Sequence, residues 1–292
     1  MQVDHDEMIS VGSVALRVRR AGIGPPLVLL HGYPQTGACW GKVLPAFAEH
    51  FEVIVPDLRG YGGSDAPSSE RGALYSKRAM AEDVVKLLSH LGHQTFRLLS
   101  HDRGARVAYR LALDHPDCVE RLGIIEVIPT GDMWAEMDAE LALGAFHWSF
   151  LAEPSPFPEK MIAAAPDFFL DHLLKGWNAT CSLDVFAPDA LAEYRAQIRD
   201  PARLHAMCED YRAGATIDRA LDEADKRAGR KIAAPLHFVW SEGGFPAKAG
   251  APEALWKDWA AHVTTGQVDC GHFAQEEKPE EVVAAFLPFF LT

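Results

Sequence analysis

The stretch LLSHDRGARVAYRLALDHP, residues 98–116, places an aspartate at the apex of a turn between an apolar strand and a helix. A turn that presents a nucleophile in this way needs small residues two positions before and after it, because the backbone turns sharply there. With Asp102 as the nucleophile, those positions hold Ser100 and Gly104. With Ser100 as the nucleophile, the second position would be the bulky, charged Asp102. The register therefore favours Asp102, although a surface Asp–Arg pair in a loop would explain the turn equally well if it stood alone.

A second segment, HGYPQ at residues 31–35, follows an early apolar strand and contains a glycine turn. Such a turn can direct a backbone amide toward the nucleophile. Together with the amide of the residue after the nucleophile, it forms an oxyanion hole. The predicted donors are the amides of Tyr33 and Arg103. His31 is interpreted as a buried, hydrogen-bonded residue and not as a catalyst.

A histidine and an acid complete a predicted triad. His272 lies in DCGHFAQEEKPEEV, directly after the last predicted strand, and Glu126 ends the strand LGIIEV, one strand beyond Asp102. The order nucleophile, acid, histidine is the one expected when the nucleophile sits on a strand–turn–helix elbow. Each residue alone has a structural explanation, but the order on successive strand ends favours catalysis.

A carboxylate nucleophile suits a particular reaction. It is already ionised, and it can displace a leaving group from saturated carbon to form an ester on the enzyme. The histidine, oriented by the acid, can then activate a water that hydrolyses the ester, while the oxyanion hole stabilises the tetrahedral intermediate. Alkyl halides and epoxides are the two substrate types that fit this scheme.

These residues must be positioned by strands that end side by side. Helical spacing is found over residues 75–91 and from residue 107, and apolar strands without polar alternation are predicted at PPLVLLHG, FEVIVPDLRG, FRLLSHD, RLGIIEVIPT, PLHFVWSE and GQVDCGH. Such strands, separated by helices, predict an α/β fold with a mostly parallel sheet covered by helices on both faces. Sites in these sheets lie beyond the carboxyl ends of the strands.

The middle of the chain has a different pattern. From about residue 131 to residue 225 it shows helical spacing and Pro-rich loops without a convincing strand, and EPSPFPEKM is typical of a stiff connector. We therefore predict a core domain formed by residues 1–130 and 226–292. Residues 131–225 are predicted to be a helical cap, inserted over the carboxyl ends of the strands.

The composition limits the partners. The chain has 28 Lys and Arg against 41 Asp and Glu, a formal net charge of −13, which argues against nucleic acid or an anionic membrane as a partner. No apolar run approaches the ~18 residues of a membrane span, and MQVDHDEM lacks the apolar region of a signal peptide. The five cysteines form no CxxC pair, so reduced thiols in a cytoplasmic protein are expected. No metal and no cofactor are predicted, and because the net charge repels anions, any anion that the protein uses must be captured by local positive groups.

Several motifs resemble those of the haloacetate dehalogenases, the fluoroacetate dehalogenase group of the α/β-hydrolase superfamily. The motifs are HDRGAR, HGYPQT, PDLRGYG, FHWSFLAEPSPFPEKMI and MCEDYRAGATIDRALD, and the resemblance covers nearly the whole chain, including the cap. It implies the α/β-hydrolase fold, a homodimer, and a small anionic haloacid as the substrate. The implied reaction is hydrolysis of a haloacetate to glycolate and halide.

The resemblance also implies roles for individual residues. Asp102 is the implied nucleophile and His272 the implied base. The substrate carboxylate is held by Arg103 and Arg106, and the halide lies in a pocket formed by His147, Trp148 and Tyr211, with Trp177 as a further cap contact.

The residue types suit those roles. An arginine presents a planar fork that can bind a carboxylate, and Arg103 and Arg106 can converge because they are three residues apart on a helix. Histidine, tryptophan and tyrosine supply hydrogen-bond donors for a small departing anion. Without the resemblance, FHW and Tyr211 would be interpreted as packing within the cap.

Two positions depart from the pattern of the group. The triad acid is usually an aspartate where this chain has Glu126, and Glu242 in VWSEGGFPAK follows the next strand and is the alternative acid. Ala105 replaces a glycine that is common after the elbow.

Two other functions are weighed against the haloacetate dehalogenase. An epoxide hydrolase would need two cap tyrosines, for which Tyr194 and Tyr211 are available, but a neutral epoxide has no use for Arg103 and Arg106. A ligand-binding protein on a hydrolase scaffold would be marked by the loss of a triad member, and none is lost.

Overall fold

Residues 3–292 are described by the computed structural model, and they contain one eight-stranded sheet. In chain order the strands are β1 (His5–Ser10), β2 (Ala15–Ala21), β3 (Pro26–Leu30), β4 (Glu52–Pro56), β5 (Phe96–His101), β6 (Val119–Ile125), β7 (Leu236–Trp240) and β8 (Val263–Gln267). Across the sheet the order is β1-β2-β4-β3-β5-β6-β7-β8. The pairings of β1 with β2 and of β2 with β4 are antiparallel, and those from β4 to β8 are parallel.

The central strands are covered on both faces. In β3, the four successive residues from Leu27 to Leu30 are all fully buried, although neighbouring side chains of a strand point to opposite faces. The same holds for Leu98 to His101 in β5. Coverage of both faces explains why these segments are apolar without alternation, and it confirms the predicted mostly parallel sheet.

Fifteen α-helices accompany the sheet in the described residues. Three precede β6, namely α1 (Leu44–Ala48), α2 (Lys77–His90) and α3 (Asp102–Asp114). Eight lie between β6 and β7, namely α4 (Thr130–Ala135), α5 (Ala139–Gly144), α6 (His147–Ala152), α7 (Phe157–Ala163), α8 (Pro166–Trp177), α9 (Pro188–Arg199), α10 (Pro201–Ala213) and α11 (Arg219–Ala228). Four follow β7, namely α12 (Phe245–Lys248), α13 (Pro252–Trp259), α14 (Ala274–Glu277) and α15 (Pro279–Leu291). Over residues 3–292, no helix has the length and apolar character needed to cross a membrane.

The segment between β6 and β7 contains helices and no strand in the described chain. This is the composition expected of the helical cap, and we use that name for α4–α11. Its helices pack on one another, with α10 contacting α6, α7 and α9. The predicted division at residues 131 and 225 stays a prediction.

Four local differences from the sequence-based expectations have physical reasons. The last strand is β8 and ends at Gln267, so most of GQVDCGH forms a loop that carries His272. The helix expected from residue 107 already begins at Asp102. EPSPFPEKM contains the start of α7, because proline is well tolerated in the first turn of a helix. The sequence does not predict the β1–β2 hairpin, because β1 is an exposed, charged edge strand without an apolar pattern.

Buried ion pairs connect the cap to the core. Asp210 on α10 accepts hydrogen bonds from Arg103, with Nη2 and Oδ1 2.6 Å apart, and from the ammonium group of Lys77. On α11, Asp222 and Asp225 bind the buried Arg110 of α3 at 3.1 Å and 2.6 Å. The cap therefore supplies the carboxylates that neutralise buried cations of the core.

Candidate active site

Asp102 lies at a sharp turn between β5 and α3. Its φ is +46°, a left-handed conformation that is strained for a residue other than glycine. The turn brings the start of α3 so close to β3 that a Cβ on Gly104 would overlap the carbonyl groups of Leu30 and His31. Ser100, two positions before Asp102, is fully buried, and its hydroxyl donates to the carbonyl of Gly123. Gly104 is thus required by packing, and Ser100 occupies a fully buried position.

The Tyr33 amide binds the predicted nucleophile. It donates to Asp102 Oδ1 at 2.7 Å. The approach is possible because residue 32 is glycine, whose missing Cβ leaves space for the Asp102 side chain and for the Arg103 amide. Within residues 3–292 the Arg103 amide itself forms no hydrogen bond to the Asp102 side chain, so of the two predicted oxyanion donors only Tyr33 contacts the carboxylate in this state.

His272 lies between the two predicted carboxylates. Its Nε2 is 3.9 Å from Asp102 Oδ2, and its Nδ1 is 3.9 Å from Glu126 Oε2. Glu126 directly follows β6 with a φ of +57°, is buried, and accepts a hydrogen bond from the Ser241 amide through Oε1. The structure therefore brings all three members of the predicted triad together, in the order nucleophile, base, acid.

Burial controls the protonation of this group. It lowers the pKa of His272 well below its ordinary value, so the imidazole is neutral and able to accept a proton. It raises the pKa of Glu126 well above the ordinary value, against the opposing effect of the Ser241 amide. For Asp102, burial acts to raise the pKa, but nearby positive charge, on His272 and His101 in their protonated forms and on Arg106 and Arg103, outweighs it and lowers the pKa.

Glu242, the alternative acid, is exposed in the loop after β7. The same loop packs against Glu126 through Gly244. A Cβ on Gly244 would overlap the carboxylate of Glu126. Glycine at this position therefore makes room for a glutamate, which is one methylene longer than an aspartate.

Arg103 and Arg106 are both buried in the first turns of α3. Arg103 faces the cap, and its Nε and Nη2 donate to the Asp210 carboxylate at 3.1 Å and 2.6 Å. Arg106 Nη1 donates to the carbonyl of Ile128 at 2.9 Å and to Thr130 Oγ1 at 3.1 Å. In the described chain, Nη1 of Arg103 and Nε of Arg106 are buried without a hydrogen-bond partner. Each arginine therefore has an N–H group available for a bound anion. The Nε and Nη2 groups of Arg103, which could bind a carboxylate together, already bind Asp210.

The predicted halide-binding residues meet above α3. Tyr211 packs edge-on against the rings of His147 and Trp148, with centroid distances of 5.5 Å and 6.2 Å. Burial lowers the pKa of His147 to about 3, so its imidazole is neutral. Nδ1 of His147 and the hydroxyl of Tyr211 are buried and have no hydrogen-bond partner within residues 3–292. Polar atoms of this kind are costly unless a ligand or water binds them.

A small cavity lies beside Asp102 and His272, and its lining includes neither Arg103 nor Tyr211. Its volume is about 10 Å³, on the scale of a single water molecule. It is lined by Asp102, Arg106, Glu126, Val127, Ile128, Met133, His147, Trp148, Phe245, Pro246 and His272. Trp177 contacts the lining from the cap side, with its ring 4.4 Å from that of His147. A second cavity of about 260 Å³ shares Phe245 and His272 with the first, and it lies between the cap and the loop after β7.

Tyr194 is not part of the lining of this cavity. Its hydroxyl donates to Glu276 Oε2 at 3.1 Å, beneath α9, and its ring contacts Phe186. The tyrosine pair considered for an epoxide hydrolase is therefore not assembled from Tyr194 and Tyr211.

No cluster of three or more His, Cys, Asp or Glu side chains suited to a metal ion occurs among residues 3–292. The absence of a metal and of a cofactor stays a prediction.

The chain matches the family model described as the α/β-hydrolase fold over residues 25–279. It is 41% identical to a fluoroacetate dehalogenase of Burkholderia sp over 283 residues, which cover 97% of this chain and 92% of that protein. This chain belongs to the haloacetate dehalogenase group of the α/β-hydrolase superfamily. The predicted fold and the predicted group are confirmed, and with them the prediction that the protein is an enzyme.

Proteins named epoxide hydrolases are also similar to this α/β-hydrolase. It is 36% identical to a soluble epoxide hydrolase of Corynebacterium sp. (strain C12), over 92% of this chain and 91% of that protein. Among solved structures, the ALR0039 protein of Nostoc sp PCC 7120 superposes with a TM-score of 0.94 at 42% identity, covering 98% of this chain and 97% of that one. The epoxide hydrolase CorEH superposes with a TM-score of 0.84 at 32% identity, covering 98% and 99%.

Sequence reasoning missed several residues around the site of this α/β-hydrolase. His101 enters the sequence analysis only as part of HDRGAR, yet its Nε2 lies 2.7 Å from the carbonyl oxygen of His272. Phe245 lines both cavities and packs edge-on against His272, with centroids 5.2 Å apart. A signal existed for His101, because it adjoins the nucleophile. Asp210 and Phe245 lie in the quoted segments MCEDYRAGATIDRALD and VWSEGGFPAK, but nothing there distinguished them from their neighbours.

Proposed function

We propose that this enzyme hydrolyses a haloacetate to glycolate and halide through a covalent ester on Asp102. Membership in the haloacetate dehalogenase group supports a hydrolase that acts on carbon–halide bonds. The observation that carries the finer proposal is the arrangement around Asp102. One carboxylate oxygen is held by the Tyr33 amide and the other faces His272, and Arg106, whose Nε has no partner among residues 3–292, lines the same cavity as Asp102.

In the first step, Asp102 Oδ2 attacks the halogen-bearing carbon. The O–C bond forms as the carbon–halogen bond breaks, and the halide leaves with the electron pair. The arginine N–H groups hold the substrate carboxylate, one from Arg103 and one from Arg106. His147, Trp148 and Tyr211 provide donors for the departing halide, and the small cavity leaves little room for water that would weaken those bonds.

In the second step, water attacks the carbonyl carbon of the ester. His272 accepts a proton from that water, and the Tyr33 amide stabilises the negative charge that develops on Oδ1. The intermediate collapses, and the glycolate oxygen leaves with the proton that His272 returns. Glu126 orients His272 and stabilises its charged form. The balance is haloacetate and water giving glycolate, halide and one proton.

The decisive experiment follows oxygen from labelled water. A single turnover of chloroacetate in H₂¹⁸O should place ¹⁸O in Asp102 and not in glycolate, because water attacks the Asp102 carbonyl carbon. Asp102→Asn should abolish halide release in freshly prepared protein, with deamidation excluded by mass. His272→Asn should release one halide per site and retain a stable adduct on the peptide that contains Asp102. Label found in glycolate after the first turnover would reject the covalent route.

Epoxide hydrolysis is the second candidate, and the 36% identical epoxide hydrolase favours it. The Tyr211 hydroxyl, which has no partner among residues 3–292, could act as the acid for an epoxide oxygen. Against it, Tyr194 is engaged by Glu276, and the two arginines offer charge that a neutral epoxide does not use. Halide release from fluoro-, chloro- and bromoacetate should therefore exceed the turnover of a terminal epoxide, and the reverse ranking would favour the second candidate.

The homodimer and the cytoplasmic location stay predictions. Three apolar side chains of the cap, Phe157, Met161 and Phe168, are more than half exposed and support a contact between two copies. Light scattering after size exclusion should show a dimer for the wild type and a smaller species when all three are replaced by serine. A monomeric wild type would contradict the prediction.

A further inference from the structure

The loop that carries His272 is held by a carboxylate that takes no part in the proposed chemistry. Glu277, at the end of α14, accepts the amide of Phe273 through Oε1 at 3.0 Å and the amide of Gly271 through Oε2 at 3.0 Å. These amides flank His272 on either side. The same Oε2 accepts the amide of Ala179 from the cap at 2.9 Å. One side chain thus binds the loop of the base and the cap together.

Main-chain contacts reinforce this connection. The His272 amide donates to the carbonyl of Trp177, the last residue of α8, at 2.7 Å, which joins the loop of the base directly to the end of that helix. Gly271 lies so close to the backbone of residues 177–179 that an added Cβ would be 2.6 Å from Asn178 Cα and 2.7 Å from the Ala179 amide nitrogen. The loop and the cap segment 177–179 are therefore packed backbone to backbone.

The side chain of His272 depends on this support. Its ring nitrogens are 3.9 Å from the nearest oxygens of Asp102 and Glu126, and Nδ1 has no hydrogen-bond partner in residues 3–292. The ring is therefore positioned by its backbone and by the aromatic rings around it. A displacement of about 1 Å at a catalytic group can cost on the order of a hundredfold in rate.

We propose that Glu277 is a positioning residue for His272, and that it couples the cap segment 177–179 to the loop of the base. The inference rests on the proposed function for its catalytic consequence. Glu277 acts on the second step, because His272 is needed for hydrolysis of the ester. The first step is spared, because Asp102 is held by the elbow and by the Tyr33 amide.

The test compares Glu277→Gln with Glu280→Gln, an exposed glutamate at the start of α15. Glutamine keeps the size of the side chain but has one acceptor oxygen in place of two, so at least one flanking amide loses its partner. With chloroacetate, Glu277→Gln should release the first halide of each site at the wild-type rate. Steady-state turnover should fall by about tenfold or more, with the ester accumulating on the Asp102 peptide. Glu280→Gln should behave like the wild type.

A second measurement does not depend on activity. Hydrogen exchange followed by mass spectrometry should be faster in Glu277→Gln than in the wild type, both in residues 268–273 and in residues 177–179. The control variant should match the wild type in both segments. If Glu277→Gln does not fold, Glu277→Asp, which keeps the charge and both oxygens on a shorter side chain, serves in its place and should show the same two effects.

The outcomes separate the two proposals. Unchanged exchange in both segments would overturn the positioning role, as would an equal loss of the first halide release and of steady-state turnover. Faster exchange confined to the loop of the base would overturn the coupling to the cap. A wild type that releases no halide would reject the proposed function, while the exchange measurement would still decide the positioning role.

Discussion

Two of the three predicted triad residues have a left-handed backbone, with φ values of +46° for Asp102 and +57° for Glu126. Such conformations cost roughly 1–3 kcal/mol each for residues other than glycine, and they persist where the surrounding structure holds them. Both residues are buried directly after parallel strands of the sheet. The strain lets each side chain leave its strand at a sharp angle and face His272.

The choice between the two candidate acids can be tested directly. We expect Glu126→Gln to slow ester hydrolysis on the order of a hundredfold, because the amide cannot stabilise the charged imidazole. Glu242→Gln should leave the rate unchanged, since Glu242 is exposed. Single-turnover kinetics that separate halide release from glycolate release make the comparison. An unimpaired Glu126→Gln beside an impaired Glu242→Gln would reverse the assignment.

The halide pocket predicts that the loss of activity in a pocket variant depends on the leaving group of the substrate. Fluoride is the poorest leaving group of the halides, so its departure relies most on hydrogen-bond donors. Trp148→Phe removes an N–H donor and keeps most of the volume. We expect a loss of about a hundredfold with fluoroacetate and a much smaller loss with chloroacetate, measured as halide release. Equal losses would mean that Trp148 only shapes the pocket.

The residues of the site were predictable from short motifs, whereas their partners were not. That Asp102, Glu126 and His272 lie close together could be predicted, because the order of strand ends brings them together, while their roles stay predictions. The engagement of Arg103 by Asp210 could not, because it joins residues 107 positions apart, in the core and in the cap. Arg103 consequently has one N–H group, on Nη1, without a partner among residues 3–292. The sequence predicts instead that its whole guanidinium group is available to a carboxylate.

At the scale of elements, the sheet was predictable where strands are covered on both faces. β3, β4, β5, β6 and β7 all carry apolar runs that burial requires. The predicted position of β8 is displaced, because VTTGQ is a half-exposed edge strand and the more apolar VDC that follows it lies in a loop. Strand β1, at the other edge of the sheet, was not predicted for the same reason. Edge strands are not selected for apolar residues, so their sequences carry little signal.

The contact between α3 and β3 predicts that an alanine substitution destabilises the protein at Gly104 but not at Gly176. Gly104→Ala places a methyl group against the main-chain carbonyls of Leu30 and His31, which cannot move aside. We expect a loss of about 1–3 kcal/mol in the free energy of unfolding and loss of halide release, because the elbow shifts relative to Tyr33. Gly176→Ala in α8 meets no atom within 4 Å and should be neutral or stabilising. Urea unfolding of both variants makes the comparison, and equal stability would contradict the packing argument.

At the scale of the whole molecule, buried acids make stability depend on pH. Burial raises the pKa of Glu276 from 4.5 to about 8. Between these values the folded protein keeps a proton that the unfolded chain releases, so the free energy of unfolding falls as the pH rises through this window. The contribution is fully present below pH 4.5 and lost above pH 8.

Glu276→Gln should remove that dependence. The amide oxygen can still accept from Tyr194, and no charge forms when the pH rises. We expect the variant to match the wild type near pH 4.5 and to exceed it by a few kcal/mol above pH 8. Urea unfolding over this range, with Glu280→Gln as the control, measures the difference. Parallel curves for the variant and the wild type would show that Glu276 does not carry the effect.

The carboxylates that the cap contributes to the core have a consequence for how the molecule unfolds. If α10 and α11 detached while the sheet stayed folded, Lys77, Arg103 and Arg110 would lose the carboxylates that neutralise them, together with the other contacts between cap and core. A state in which the cap is unfolded while the core remains folded is therefore disfavoured. The cap and the core should unfold as one cooperative unit. Calorimetry should give a van't Hoff enthalpy equal to the measured enthalpy, and the slowest-exchanging amides of α10 and α3 should report the same free energy of opening.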